Sequence, residues 1–300
     1  MFIYLAYKGV KSCRKHRHDT VFEVAYFGYF LVGFGSFMFH TTLKYPWQLV
    51  DELNMIYTTC LMAYASLSYS QPKSTQISLG VFFVLFCAAI TAYYHYLQDP
   101  VFHQTVYALL TVFIVFRSIY SMETSLRPSL RKSEERHRLE RKRSGVPDVI
   151  SKEQQAYENQ RDRDILKTMW ILVAFGVSIF LVGFYIWNLD NIYCSTLRRW
   201  RRSIGMPWGF FLEGHGWWHL MTGIGAYDYI VWGIYLRHIQ NGDQEHFKMV
   251  WPNLFTLPEV VRMSDPPRDA GRKNGRDTQR GVSANGNANG RVNGHVKKRK

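Results

Sequence analysis

Six apolar blocks interrupt the 300-residue chain, at about 21–43, 49–69, 76–97, 101–122, 165–188 and 209–236. Crossing the hydrocarbon core of a bilayer takes about 20 predominantly apolar residues, so each block is long enough to span. A backbone in lipid must satisfy its own N–H and C=O groups, and a helix does so within one segment. The expectation is an all-α fold, a polytopic transmembrane helix bundle of six full spans. Tyr and Trp gather near the block ends, as anchoring at the membrane interface requires.

The net charge is +14. Its distribution argues against nucleic acid as a partner, because the basic residues lie between the blocks and in the tail. Positive-inside orientation and anionic headgroups account for them there, and no nucleic-acid recognition motif appears. Residues 8–19, 70–75, 123–164 and the tail 262–300 fall on one side of six crossings, and the positive-inside rule makes that side cytosol. The run 198-RRWRR-202 falls on the other side and stands against this parity. Residues 123–164 form a charged loop, helical in part by its Glu/Arg spacing. The Gly- and Asn-rich tail reads as a disordered basic cytosolic extension. It ends 297-KKRK-300, a pattern that fits a dilysine retrieval signal. Cys13, Cys60, Cys87 and Cys194 are scattered, which disfavours a disulfide framework or a thiolate zinc site. The apolar start, 1-MFIYLAY-7, is followed at once by charge. Residues 1–8 are read as the remnant of a first transmembrane helix, with a short interfacial anchor as the alternative.

Charged and imidazole side chains inside a span are costly, so 213-EGHGWWHLMTG-223 asks for a reason. His215 and His219 are four apart and share one helical face, the spacing at which two imidazoles hold one metal ion. Interior histidines bonded to carbonyls would leave the same pattern. A second cluster lies in 33-GFGSFMFHTTLKYPWQLVDELNMIY-57. Ser36 and His40 are four apart near the end of one span, Pro46 marks the turn, and Asp51 and Glu52 open the next. The parity of the spans brings His40, Asp51, His215 and His219 to one boundary. Three neutral imidazoles with an open position suit a catalytic zinc ion, and a neighbouring carboxylate can take a proton. Taken singly, Ser36 could bond its own helix, Asp51 could be a helix cap, and Glu52 is expected to face the headgroups. His95, His103, His137 and His238 are expected at surfaces or interfaces, and Trp217 and Trp218 could line a chain-binding cavity.

The segments SFMFHTTL, QLVDELNMIY and GHGWWHLMTG resemble the alkaline ceramidases, membrane amidases of the ceramidase and adiponectin-receptor superfamily. The resemblance covers roughly residues 20–260 and is greatest to fungal members. It implies seven spans around Zn2+ held by His40, His215 and His219, with Asp51 as the catalytic aspartate and Ser36 as the serine that stabilises an oxyanion. It implies a ceramide-type lipid as substrate, cleaved to a sphingoid base and a fatty acid. The implied setting is the endoplasmic reticulum or Golgi membrane. The family also binds Ca2+ through an acidic Trp-Glu-Asn motif before and into the first span, and here no Asp or Glu precedes Asp19. The expectation is a chain with a truncated N-terminus that lacks those Ca2+ ligands. Two other readings follow from the residues: a non-catalytic lipid-binding membrane protein, and a membrane haem protein with paired histidines such as His40 and His219.

Overall fold

A computed structural model describes residues 1–127, 152–253 and 256–263. Most of the loop expected between spans four and five, His137 within it, and the tail beyond 263 lie outside the described residues. Among the described residues there are eight α-helices: α1 (Phe2–His16), α2 (Thr20–Thr42), α3 (Tyr45–Leu67), α4 (Lys73–Leu97), α5 (Pro100–Leu126), α6 (Lys152–Ile192), α7 (Cys194–Ile204) and α8 (Gly214–Gln240). A short 3-10 turn, Trp208–Leu212, leads into α8. The two strands β1 (Phe247–Val250) and β2 (Glu259–Arg262) pair antiparallel, Phe247 opposite Arg262 and Val250 opposite Glu259.

The breaks between helices have local causes. Leu43 closes α2 in the left-handed conformation at φ 53°, and its N–H returns to the Phe39 carbonyl. Pro46 then enters the first turn of α3, where its missing N–H costs nothing. Asp99 caps α5 by accepting from the Val101 N–H at 3.0 Å, with Pro100 in the first turn.

Helices α2, α4, α5 and α6 are long and apolar enough to cross a membrane. The chain is an all-α membrane protein. Helices α3 and α8 have the length of a span but a more polar composition, because they face protein. Thirteen residues of α8 are buried, whereas α4 buries only Tyr94 and turns the rest outward. Helix α8 packs on α2, α5 and α6, and α3 packs on α2, α4 and α5. A helix whose neighbours shield it can carry polar side chains that lipid would reject.

Three segments depart from the sequence reading. Helix α1 does not stop at residue 8: it runs through the basic residues to His16 and packs along α2, where Gly9 lies against the Tyr26 ring. Helix α6 extends the fifth span over charged residues 152–164, giving 41 residues and about 60 Å of helix. The β-hairpin was not expected. It docks on α1 and α8 through buried Phe247, Met249 and Val260.

Histidines fasten that dock. The His18 Nε2–H donates to the Val260 carbonyl at 3.1 Å, so its Nδ1 accepts from His238 Nε2 at 2.8 Å. His16 Nδ1 accepts the Arg262 N–H at 3.1 Å. His238 is therefore a buried partner of the hairpin and not a surface residue. Burial, and then the neighbouring His238, pull His18 down from 6.5 to about 4. A histidine depressed in the folded state contributes stability that is complete above its unfolded pKa and fades as pH falls toward the folded one. Thermal unfolding in detergent is expected to show a midpoint that declines between pH 6.5 and 4, and His18→Gln is expected to flatten that decline. An unchanged slope in the variant would remove His18 as its source.

Candidate metal and hydrolase site

The site forms where α2 ends, α3 begins and α8 begins. His40 lies in the last turn of α2, and His215 and His219 lie in the first two turns of α8. His219 Nε2 is 3.2 Å from His40 Nε2 and 3.0 Å from His215 Nε2. One ring nitrogen from each of the three lies within 4.8 Å of the others. Tetrahedral zinc with Zn–N of about 2.0–2.1 Å sets its ligand nitrogens about 3.3 Å apart, so the spacing fits one metal ion held by all three. A macrocycle has no room between His40 and His219 at 3.2 Å, which removes the haem reading.

Ser36 precedes His40 by one turn of α2, about 6 Å along the axis. It is buried, and it faces the buried Asp51 of α3. The contact depends on Gly35. A Cβ there would come within 2.9 Å of Val50 Cγ1 and 3.1 Å of the Asp51 backbone nitrogen. The missing side chain lets α3 slide against α2 and brings the hydroxyl and the carboxylate together.

The α8 side is fastened by residues the sequence reading did not select. Asp190, near the end of α6, accepts the His215 backbone N–H at 3.2 Å. Gly214 makes this approach possible, since a Cβ there would meet Asp190 Cβ at 2.7 Å. Trp187 Nε1 donates to His215 Nδ1 at 3.1 Å. An indole N–H only donates, so the neutral His215 carries its proton on Nε2. To hold a metal through Nε2, His215 would need the other tautomer, with its proton on Nδ1 and the Trp187 indole turned away. Glu213 is no part of the histidine face: it is the N-cap residue of α8 and pairs with Arg201.

Two further expectations change. Glu52 does not face headgroups. It accepts from the Tyr94 hydroxyl and, at 3.2 Å, from Gln48 Nε2. His103 is buried and donates from Nε2 to the Glu52 carbonyl at 2.9 Å. Together they brace the start of α3 against α4 and α5. Trp217 and Trp218 do not line the apolar cavity between the helices: Trp217 donates to the Phe211 carbonyl at 3.1 Å, and Trp218 sits edge-on to Phe180 and Phe184 and tilted against Trp187. That cavity, about 620 Å³, has walls that are apolar apart from a few side chains, and it lies among α2, α3, α5, α6 and α8. It reaches Thr222, one turn below His219, and contains Asp228, whose two carboxylate oxygens have no hydrogen-bond partner among the described residues.

A model of the ceramidase family matches residues 1–261. The chain belongs to the ceramidase family. It is similar to alkaline ceramidase 3 of Mus musculus, 30% identical over 262 residues, which cover 86% of this chain and 81% of the mouse protein. It is likewise similar to alkaline ceramidase YPC1 of Saccharomyces cerevisiae, 30% identical over 274 residues, 87% of this chain and 76% of the yeast protein. A putative alkaline ceramidase, dcd3A of Dictyostelium discoideum, is 25% identical over 227 residues, 71% of this chain and 62% of that protein.

A metal that binds only the folded chain stabilises it by about 2.7 kcal/mol at a hundred times its dissociation constant. Metal-stripped protein in detergent is expected to unfold at a higher temperature after zinc is added. The His219→Ala variant is expected to show no such shift. An equal shift in both proteins would place the ion elsewhere.

Proposed function

We propose that the protein is a zinc-dependent amide hydrolase that cleaves ceramide or phytoceramide within the membrane to a sphingoid base and a free fatty acid. The observation that carries this reading is the convergence of His40, His215 and His219 nitrogens beside Ser36, which lies one helical turn before His40 and faces Asp51 of α3. The names of the relatives and the apolar cavity below the histidines support it.

A zinc ion at the three imidazoles supplies a Lewis acid and a water whose pKa falls to about 7. The protein's own groups do the rest. Asp51, buried beside Ser36, accepts the proton of the attacking water. The water oxygen bonds to the acyl carbon, the C–N bond breaks, and Asp51 returns the proton to the leaving amine. The Ser36 hydroxyl turns from Asp51 to donate to the oxyanion that forms on the carbonyl, the kind of preorganised contact that lowers such barriers most. The cavity takes an alkyl chain of the substrate, so the amide stays at the depth of the histidines near the membrane boundary. The setting that fits is the endoplasmic reticulum or Golgi membrane, with the C-terminal Lys-rich end in the cytosol.

Asp51→Asn is expected to keep its metal and to lose about 10²–10⁴-fold in kcat on ceramide. Ser36→Ala is expected to lose about 10²–10³-fold, with KM little changed. Metal content by elemental analysis and fatty-acid release in reconstituted vesicles measure both. Undiminished turnover by Asp51→Asn would take the proton-transfer role from Asp51, and wild-type protein that carries zinc yet releases no fatty acid would favour a non-catalytic lipid binder.

A further inference from the structure

The run 198-RRWRR-202, which stood against the parity of the spans, lies on α7. Helix α7 sits at the histidine end of the bundle, between the end of α6 and the start of α8. None of its residues is buried. Its side chains are nevertheless sorted. Tyr193, Leu197, Trp200 and Ile204 follow at steps of four, three and four, so they form one stripe. Three members are more than half exposed: Tyr193 at 55%, Trp200 at 54% and Ile204 at 51%. Arg198, Arg199 and Arg202 fall on the opposite face by the same periodicity. They are exposed, and none makes an ion pair or side-chain hydrogen bond among the described residues. The following 3-10 turn adds Trp208, Phe210 and Phe211, all exposed.

A helix with an apolar aromatic stripe and an arginine face, attached to the ends of two long apolar helices, matches the layer between hydrocarbon and water. Aromatic rings are stable at that depth, and guanidinium groups pair with phosphate in bidentate fashion. We propose that α7 lies in the plane of the bilayer surface at the histidine end and binds anionic phospholipid headgroups through Arg198, Arg199 and Arg202. The basic run then marks a lipid contact at the histidine end of the bundle.

The contact is wired to the site. Arg201, on the flank of α7, pairs with Glu213, two residues before His215. Gly209 packs against the Arg201 carbonyl, with 3.3 Å to a Cβ built there. The Phe211 carbonyl accepts from Trp217 on the first turns of α8. Seating α7 on an anionic surface therefore steadies the turn that presents His215 and His219, and turnover is expected to rise with anionic lipid.

The test uses the full chain in vesicles of phosphatidylcholine, with and without phosphatidylglycerol. Spin-labelled lipids report which headgroup the protein retains. The wild-type protein is expected to hold phosphatidylglycerol in preference, and the R198Q/R199Q/R202Q variant is expected to weaken that preference by roughly fivefold for each arginine removed. The ion pair of Arg201 is left in place, and an unchanged unfolding midpoint verifies the fold of the variant. Fatty-acid release from ceramide is expected to rise with phosphatidylglycerol in the wild type and not in the variant. The activity arm rests on the hydrolase reading and the lipid arm does not, so absent hydrolysis with retained lipid preference would sink only the former. Equal retention of both lipids by the wild type, or a preference that survives in the triple variant, overturns the proposal. So does disulfide cross-linking of exposed Cys194 between two copies without lipid preference, which would make the face a protein interface.

Discussion

An imidazole or carboxylate turned toward hydrocarbon costs several kcal/mol unless it finds a partner. The arrangement of the bundle follows from that constraint. Helix α8 carries His215, His219, Asp228 and His238 and is the most enclosed of the long helices. Helix α6 carries apolar side chains outward and shields it together with α2 and α5, while α4 covers α3. The polar residues are bearable because the apolar helices surround them. The histidines of one end of α8 meet His40 of α2, and His238 at the other end bonds His18 and stacks on Phe247 of the hairpin.

The sequence disclosed the parts of this plan that repeat or pair at helical spacing. Apolar blocks give spans, and Ser36 with His40, or His215 with His219, share a face at a separation of four. Asp51 was legible because Pro46 marks the turn that returns the chain beside His40. Other residues left no periodic trace. Asp190 and Trp187 act on His215 from a different helix, and nothing in their neighbourhood in the sequence points to it. His18 and His238 are 220 residues apart and meet only because α2 starts where α8 ends. Glu52 seemed to belong with the headgroups because a lone carboxylate at a span end usually does. Its partners, Tyr94 and Gln48, come from α4 and from its own first turn. The alternation in Phe247–Val250 was too short to separate a strand from a loop.

Close approach at the site end depends on glycine more than on large complementary surfaces. In lipid there is no hydrophobic drive to bring two helices together, so small residues that allow backbone contact matter more than in water. Gly35 admits the backbone of Asp51, Gly214 admits Asp190, and Gly183 admits Met221 of α8, whose Cβ would lie 2.8 Å from an added one. These contacts hold three helix ends around the histidines. A methyl group at any of the three would separate the helices and the functional groups together, so packing and site geometry are one property here.

The length of α8 relates its two histidine clusters to the membrane. From His219 to His238 is nineteen residues, which spans about 28 Å at helical rise, close to the hydrocarbon thickness of about 30 Å. One cluster therefore belongs at each boundary, where water can reach a substrate amide on one side and the hairpin on the other. Asp228 lies nine residues below His219, about 14 Å and near the bilayer midplane. It borders the cavity with no hydrogen-bond partner among the described residues, and Gly176 of α6 faces it, leaving 3.9 Å between its Cβ and one placed on the glycine. A bundle selected for stability alone would fill that space with an apolar side chain. Keeping both the cavity and the carboxylate sacrifices packing at the centre of the protein, and an alkyl chain entering from the histidine end would restore the contacts that the bare walls lack.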